Sequence, residues 1–214
     1  MSARISVLLV DDHAVVREGY RRLLELSGGI TVVGEATCAA EAYQQYCNLS
    51  PDVAVMDITL PGVSGIEAMR RILAHEPKAR VLMFSMYEDA IFVRRALEAG
   101  AAGYLTKAAA PRVLVEAVAS VAAGRRFLSP DVAQILALQP MSAERATHDV
   151  LSAREFEILK LLVDGCTLNE IAQQLGLTPK TVSNHQSSIR QKLGAETATQ
   201  LLRAAMRLGL VPAY

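Results

Sequence analysis

Residues 5–12, ISVLLVDD, are the stretch that decides the fold of the first part of this chain, because an apolar strand-like run ends there in two carboxylates. A polar group closes an apolar run three more times: Asp57 after Val53–Met56, Ser85 after Val81–Phe84, and Lys107 after Gly103–Thr106. A further run, Ile30–Ala36, has no such ending. All five runs are nearly continuously apolar, which is typical of strands buried on both faces.

Helical patterns separate these runs. We predict a helix over Ala14–Leu26, one from a capping box at Ser64-Gly-Ile-Glu67 to about His75, one from a cap at Asp89 to Gly100, and one from Pro111 to Gly124. Strands that alternate with helices over short links form a parallel sheet with helices on both faces. The first 125 residues are therefore predicted to be a doubly wound five-stranded α/β domain.

The polar endings all fall at the carboxyl ends of the predicted strands, where ligands bind in sheets of this kind. Carboxylates suit Mg²⁺, and the Asp57 carboxylate can attack a phosphoryl donor while Lys107 pairs with phosphoryl oxygens. Taken singly, each residue has a simpler interpretation: Asp12 as a helix cap, Lys107 as a surface lysine and Ser85 as a turn residue. Their joint placement favours a Mg²⁺-assisted phosphoryl acceptor.

Four segments resemble the receiver domain of two-component response regulators, and together they span the first domain. They are LLVDDH (8–13), MDITLPGVSG (56–65), MFSMYED (83–89) and AGAAGYLTK (99–107). The resemblance implies a flavodoxin-like fold, Mg²⁺ bound by Asp11, Asp12 and Asp57, and phosphorylation of Asp57 by a histidine kinase. It also implies that Ser85 is the switch hydroxyl and Tyr104 the switch aromatic, although Tyr104 by itself could be a simple sheet-edge aromatic.

Two positions depart from the pattern of receivers. Met86 stands where a small residue is usual, and Ala108 stands where many receivers have proline. They keep open an alternative, a phosphorylation-independent regulator that uses the receiver for dimerisation or ligand sensing. A phosphoester hydrolase is disfavoured because no second base candidate accompanies Asp57, and the chain is therefore not expected to be an enzyme.

The remainder of the chain is predicted to be a linker with a short helix over residues 126–149 and a small all-α domain over residues 150–214. Capping signals at Ser152, Thr167, Thr178 and Thr197 predict four helices, and the last ends near Gly209. The second and third helices, joined by a turn at Gly176, form a helix-turn-helix.

The third of these helices has a polar face that could lie in the major groove of DNA, although a solvated face is nearly as consistent with the pattern alone. Residues 151–195 resemble the effector domain of the NarL/FixJ–LuxR group, in which Ser183, Asn184 and Ser187 would face bases and Lys180, Thr181, His185 and Lys192 the DNA backbone. The last helix, with Leu201 and Leu202, resembles the dimerisation helix of the group, although its apolar residues could equally be core.

Composition excludes several classes of protein. The 22 basic and 22 acidic residues cancel, so overall charge does not indicate nucleic acid. Three cysteines without C-x-x-C spacing argue against a disulfide framework or a zinc site. No signal peptide or membrane-length apolar run is present in the sequence. We therefore expect a cytoplasmic, Mg²⁺-dependent response regulator that binds double-stranded DNA, partners a sensor histidine kinase and forms a homodimer when phosphorylated.

Overall fold

The computed structural model describes residues 4–109, 111–138 and 151–207 together with residue 210. The chain divides into two compact units, Met1–Ala137 and Leu138–Tyr214, which are taken in turn. No helix within these described residues has the length and apolar character needed to cross a membrane.

The first unit is built on a parallel sheet in the order β2-β1-β3-β4-β5-β6. Its strands are β1 Ile5–Val10, β2 Ile30–Ala36, β3 Val53–Met56, β4 Val81–Ser85, β5 Gly103–Thr106 and β6 Phe127–Leu128. The five predicted strands are confirmed, but the predicted number of strands was one too few. Val7, Leu8, Leu9 and Val10 are each at most 1 % exposed, as expected for a strand covered on both faces.

The sixth strand comes from the segment predicted to be a linker. Phe127 pairs with Gly103, and Leu128 pairs with Tyr104. A two-residue strand is too short to produce a recognisable apolar pattern, so the sequence showed no sign of it. The short helix predicted in the same segment is α6, and the compact unit continues to Ala137.

The helices that accompany the sheet in the described part of this unit are α1 Ala14–Leu26, α2 Ala39–Leu49, α3 Gly65–His75, α4 Ala90–Glu98, α5 Pro111–Ala122 and α6 Pro130–Leu138. A continuous apolar core joins Leu24 of α1 and Leu114 of α5 to Leu9, Val55 and Leu105 of the sheet. Because β1, β3, β4 and β5 are neighbouring parallel strands, their carboxyl ends lie side by side at one edge of the sheet.

The predicted capping box at the start of α3 was wrong in its hydrogen bonding. Ser64 is the N-cap, but its side chain makes no capping bond and its hydroxyl is buried without a hydrogen-bond partner. Instead, the Gly65 N–H donates to the Ile58 carbonyl at 2.7 Å and draws the helix start against the residue that follows Asp57. Asp89 likewise occupies the N-cap position of α4 without a side-chain capping hydrogen bond.

The second unit consists of α7 Ala153–Val163, α8 Leu168–Gln174, α9 Pro179–Leu193 and α10 Ala198–Arg207. The capping boxes at Ser152 and Thr167 are formed, and the Thr178 side chain accepts a hydrogen bond from the Thr181 N–H. The apolar residues of the four helices form a buried core that includes Phe156, Ile158, Ile171, Val182, Ile189 and Leu201. The predicted linker around Pro140 and the predicted helix end near Gly209 lie outside the described residues.

We predict that Gly65→Ala strongly destabilises the first unit. A Cβ atom at this position would lie 1.8 Å from the Asp57 carbonyl oxygen, which is backbone and cannot move aside. We expect a loss of about 3 kcal/mol or more of unfolding free energy, at or above the upper end for overpacked cores, measured by urea denaturation. Gly19→Ala is the matched control, because nothing lies within 4 Å of its Cβ position, and an equal loss there would contradict this explanation.

Candidate functional site

The carboxyl ends of three strands are joined by one ammonium group. Lys107 follows β5, and its Nζ donates to Asp11 Oδ2 at 2.7 Å and to Asp57 Oδ2 at 2.5 Å. The side chains of Asp11, Asp57 and Lys107 are only 3 %, 5 % and 8 % exposed. The structure thus brings together three of the residues that the sequence analysis singled out.

The Asp57 carboxylate is largely shielded from water. Burial raises the pKa of the Asp57 carboxyl above its ordinary value, and the nearby Lys107 ammonium offsets part of that rise. The Thr59 N–H donates to Asp57 Oδ1 at 3.2 Å, and the Asp57 N–H donates to the Val10 carbonyl. Backbone on both sides therefore holds the carboxylate in place.

For the Lys107 amine, the neighbouring carboxylates together have a larger effect on the pKa than burial has. Burial alone would lower the pKa of this amine, but the charges of Asp57 and Asp11 outweigh it and the pKa is raised. The Lys107 N–H also donates to the Ser85 carbonyl at 2.8 Å, which fixes the end of β5 against the end of β4. The amine is therefore a positively charged group in a fixed position, and it can pair with a negatively charged group that reaches Asp57.

Arg17 of α1 supports this arrangement, and the sequence analysis missed it. Its Nη1 donates to the Asp11 carbonyl oxygen at 2.7 Å, and its Nε donates to Glu35 Oε2 at 2.6 Å. Contacts to a backbone carbonyl leave no sequence signature, so the sequence offered no sign of this one. Asp11 is thereby held through both its backbone and its side chain.

Candidate metal ligands group differently from the predicted set. Within the described part of the chain, the residues whose ligand atoms lie within 4.8 Å of one another are Asp11, Asp12 and His13. Asp57 is instead connected to Asp11 through the ammonium of Lys107. His13 was not among the predicted ligands, although its position next to Asp12 was visible in the sequence.

The donor set fits a hard cation. Asp12 Oδ1 is buried without a hydrogen-bond partner, although His13 Nδ1 lies 2.8 Å away. A buried carboxylate oxygen of this kind requires a partner, and carboxylate oxygens are the ligands that Mg²⁺ prefers. Binding of Mg²⁺ by Asp11, Asp12 and Asp57 stays a prediction.

Tyr104 is fully buried, so it is not an exposed aromatic at the sheet edge. Its hydroxyl donates to the Tyr87 carbonyl at 2.7 Å, and burial raises its pKa well above the ordinary value. The Tyr87 N–H donates to Ser85 Oγ at 3.2 Å, and the Tyr87 ring stacks on Phe92 of α4 at 4.0 Å. Ser85 and Tyr104 thus both hydrogen-bond to the backbone of Tyr87 in the loop after β4.

The two positions that depart from the receiver pattern lie at the surface. Met86 is 71 % exposed, and Ala108 is exposed directly after Lys107. Neither side chain belongs to the buried group around Asp57.

In the second unit, α9 presents Lys180, Asn184 and Ser187 as exposed residues at helical spacing, opposite the buried Val182 and Ile189. The other side chains predicted to contact DNA are partly buried or hydrogen-bonded within the protein. The Thr181 hydroxyl lies 2.9 Å from that of Thr178, and Ser183 is half-buried. Burial lowers the pKa of the half-buried His185. The polar face predicted from the sequence is therefore only partly exposed and available for contacts with DNA.

Glu155 of α7 anchors α9, and the sequence analysis did not predict this contact. Lys192 Nζ donates to Glu155 Oε2 at 2.6 Å, and the Ser188 hydroxyl donates to Glu155 Oε1 at 2.7 Å. The Ser152 N–H donates to Oε2 as well, at 2.7 Å. Burial by itself would raise the pKa of Glu155, but these donors outweigh it and lower the pKa to about 2. Lys192 thus has a partner within the protein.

Comparison with known proteins agrees with this arrangement. The profile of the response regulator receiver domain matches residues 7–119, which is more than half of the chain. The chain belongs to the response regulator family. The profile of bacterial regulatory proteins of the luxR family matches residues 149–205, so this response regulator combines a receiver with a LuxR-type DNA-binding domain, the organisation of a two-component transcription factor.

Two of three similar proteins match over nearly the whole response regulator, and the third matches over about two thirds of it. Response regulator UvrY of Escherichia coli is 39 % identical over 208 residues, 96 % of this chain and 95 % of that protein. A two-component response regulator of the LuxR family from Aurantimonas is 50 % identical and covers 63 % of this chain and 96 % of its own, with a TM-score of 0.62. RcsB, solved as two dimers bound to two parallel DNAs, is 28 % identical over 96 % of this chain and 99 % of its own, with a TM-score of 0.61.

We predict that acid weakens the second unit through Glu155. The folded pKa of about 2 lies below the ordinary 4.5, so the stabilisation is fully present above the ordinary value and is lost as pH falls towards 2. The loss of unfolding free energy should be on the order of 1–3 kcal/mol, measured by urea denaturation at resolved amide signals of α9.

The Glu155→Gln variant should lack this part of the pH dependence. Glu170→Gln is the matched control, because Glu170 caps α8 in the same way but is exposed. If Glu155→Gln kept the pH dependence of the original chain, Glu155 would not be its source.

Proposed function

We propose that this response regulator is switched by Mg²⁺-dependent phosphorylation of Asp57 and that the switch controls sequence-specific DNA binding. The observation that carries the proposal is the buried bridge of Lys107 between Asp11 and Asp57 at neighbouring strand ends. Burial of the lysine explains why it is paired, and a phosphoryl acceptor requires what this pairing provides, a carboxylate nucleophile with a cation beside it.

The chemistry follows from these groups. A carboxylate oxygen of Asp57 attacks the phosphorus of a phosphohistidine on a sensor kinase, the phosphorus–nitrogen bond breaks, and its electron pair returns to the imidazole. Lys107 then pairs with oxygens of the phosphoryl group. Mg²⁺, held by Asp11, Asp12 and Asp57, supplies charge neutralisation for that group.

The signal then passes to the loop after β4. Ser85 offers a hydroxyl to the phosphoryl group, and the Tyr104 hydroxyl donates to the Tyr87 carbonyl in the same loop. A change in Ser85 therefore bears on a loop that also contacts α4 through the ring of Tyr87. To move an equilibrium from 1:99 to 99:1, phosphorylation must supply about 5.5 kcal/mol of differential stabilisation.

The expected partners are a sensor histidine kinase, double-stranded DNA and a second copy of the chain. RcsB, which is similar over nearly the whole length, is a dimer on DNA in its solved complex. Here α9 would enter the major groove with Asn184 and Ser187 towards bases, while Lys180, Thr181 and His185 approach phosphates. Because Lys192 is paired with Glu155, we expect it to contribute less to phosphate binding than an unpaired cation.

The phospho-switch is tested by treating the full chain with Mg²⁺ and beryllofluoride beside an Asp57→Ala variant. We expect the treated chain to dimerise, by light scattering, and to bind a DNA fragment selected from a random pool more tightly than the untreated chain. Asp57→Ala should show neither change. A DNA affinity that changed with neither the treatment nor the substitution would instead indicate a phosphorylation-independent regulator.

The DNA-reading role of α9 is tested separately. Asn184→Ala should cost about 1–3 kcal/mol of binding to the selected sequence and relax base preference at one position. Lys180→Met should weaken all sequences alike and reduce the salt slope by about one. The control is Asn48→Ala, an exposed asparagine of the receiver. Unchanged base preference in Asn184→Ala would show that this residue does not read bases.

A further inference from the structure

The segment after α5 is hydrogen-bonded to β5, the strand that Lys107 follows. β6 runs parallel to β5 with Leu128 opposite Tyr104, and the Ser129 N–H donates to the Tyr104 carbonyl at 3.2 Å. Helix α6 begins at the next residue, Pro130. The start of α6 is therefore attached to the backbone of the predicted switch aromatic.

A side-chain bond adds a second attachment. The Thr106 hydroxyl donates to Asp131 Oδ2 at 2.8 Å, and Thr106 is only 1 % exposed. Thr106 directly precedes Lys107, and Asp131 is the second residue of α6. Partial burial would raise the pKa of Asp131, but hydrogen bonds, including that from Thr106, favour the carboxylate and lower it.

The geometry of β5 places this bond on a particular face. Successive side chains of a strand point to opposite sides, so Tyr104 and Thr106 share one face while Leu105 lies in the core with α1 and α5. Close approach at the start of β6 also depends on Gly103, because a Cβ atom there would lie 2.6 Å from the Phe127 carbonyl. The segment that contains β6 and the start of α6 thus packs tightly against β5.

We propose that the Thr106–Asp131 hydrogen bond transmits the state of the phosphoacceptor site to α6, the last described helix before the chain enters its DNA-binding unit. This inference rests on the proposed function. A buried hydroxyl donor is costly to leave unpaired, so the start of α6 follows any displacement at the end of β5. Lys107 is the next residue, and it exchanges partners when a phosphoryl group arrives.

A purely structural role is the alternative, since β6 also covers the edge of β5. The two roles differ in what they predict. A structural bond contributes stability in every state, whereas a coupling bond changes how much DNA affinity is gained on activation. The pair formed by Ser6 and Asp52 provides a comparison, because its hydroxyl donates to a carboxylate at 2.7 Å at the opposite ends of the strands.

The experiment measures the gain in DNA affinity that beryllofluoride produces in the full chain. Thr106→Val should reduce this gain about three- to tenfold, while the rate of phosphoryl incorporation at Asp57 stays close to that of the original chain. Thr106→Ser keeps the hydroxyl and should restore the gain. Asp131→Ala, a change at an exposed helix position, should reproduce the loss if Thr106→Val fails to fold. Ser6→Ala is the matched control and should keep the full gain.

The outcomes separate this inference from the proposed function. If the original chain gains no affinity with beryllofluoride, the proposed function fails, and the inference fails with it. If the original chain gains affinity and Thr106→Val or Asp131→Ala gains as much, only the inference is overturned. An equal loss in Ser6→Ala would also overturn it, because a general loss of stability would then account for the effect.

Discussion

The ammonium group of Lys107 is the constraint on which the first unit depends. Two carboxylates buried at neighbouring strand ends repel each other and lose hydration, and one amine from a third strand offsets both costs. A single cation does not neutralise two anions, so the site keeps an excess of negative charge that favours a further cation. Stability of the sheet end and readiness for phosphoryl chemistry thus have the same electrostatic origin.

Much of the fold was predictable because its signals are strong and local. The five long strands are nearly continuous apolar runs, and the capping residues Ser152, Thr167 and Thr178 each form the predicted bond. β6 was not predictable, since two residues carry no periodicity and depend on a neighbouring strand for their conformation. At Ser64 the local capping pattern gave way to the tertiary contact of Gly65 with Ile58.

The candidate site was predictable in its residues but only partly in its connections. Topology puts strand ends together, so Asp11, Asp57, Ser85 and Lys107 followed from their place in the sequence. The bond from Arg17 to a backbone carbonyl, the grouping of His13 with Asp11 and Asp12, and the hold of Glu155 on α9 did not. These contacts depend on side-chain directions across separate elements, which no spacing rule specifies.

The late position of β6 in the chain bears on how the receiver is made. A ribosome releases the chain from its amino end, so β5 emerges before the strand that covers it. Until residues 127–138 have followed, the backbone groups of β5 that later bind β6 remain open, as at any uncovered sheet edge. The receiver sheet is therefore completed by β6, which belongs to the segment that leads into the DNA-binding unit. The sheet cannot be fully formed before that segment has been synthesised.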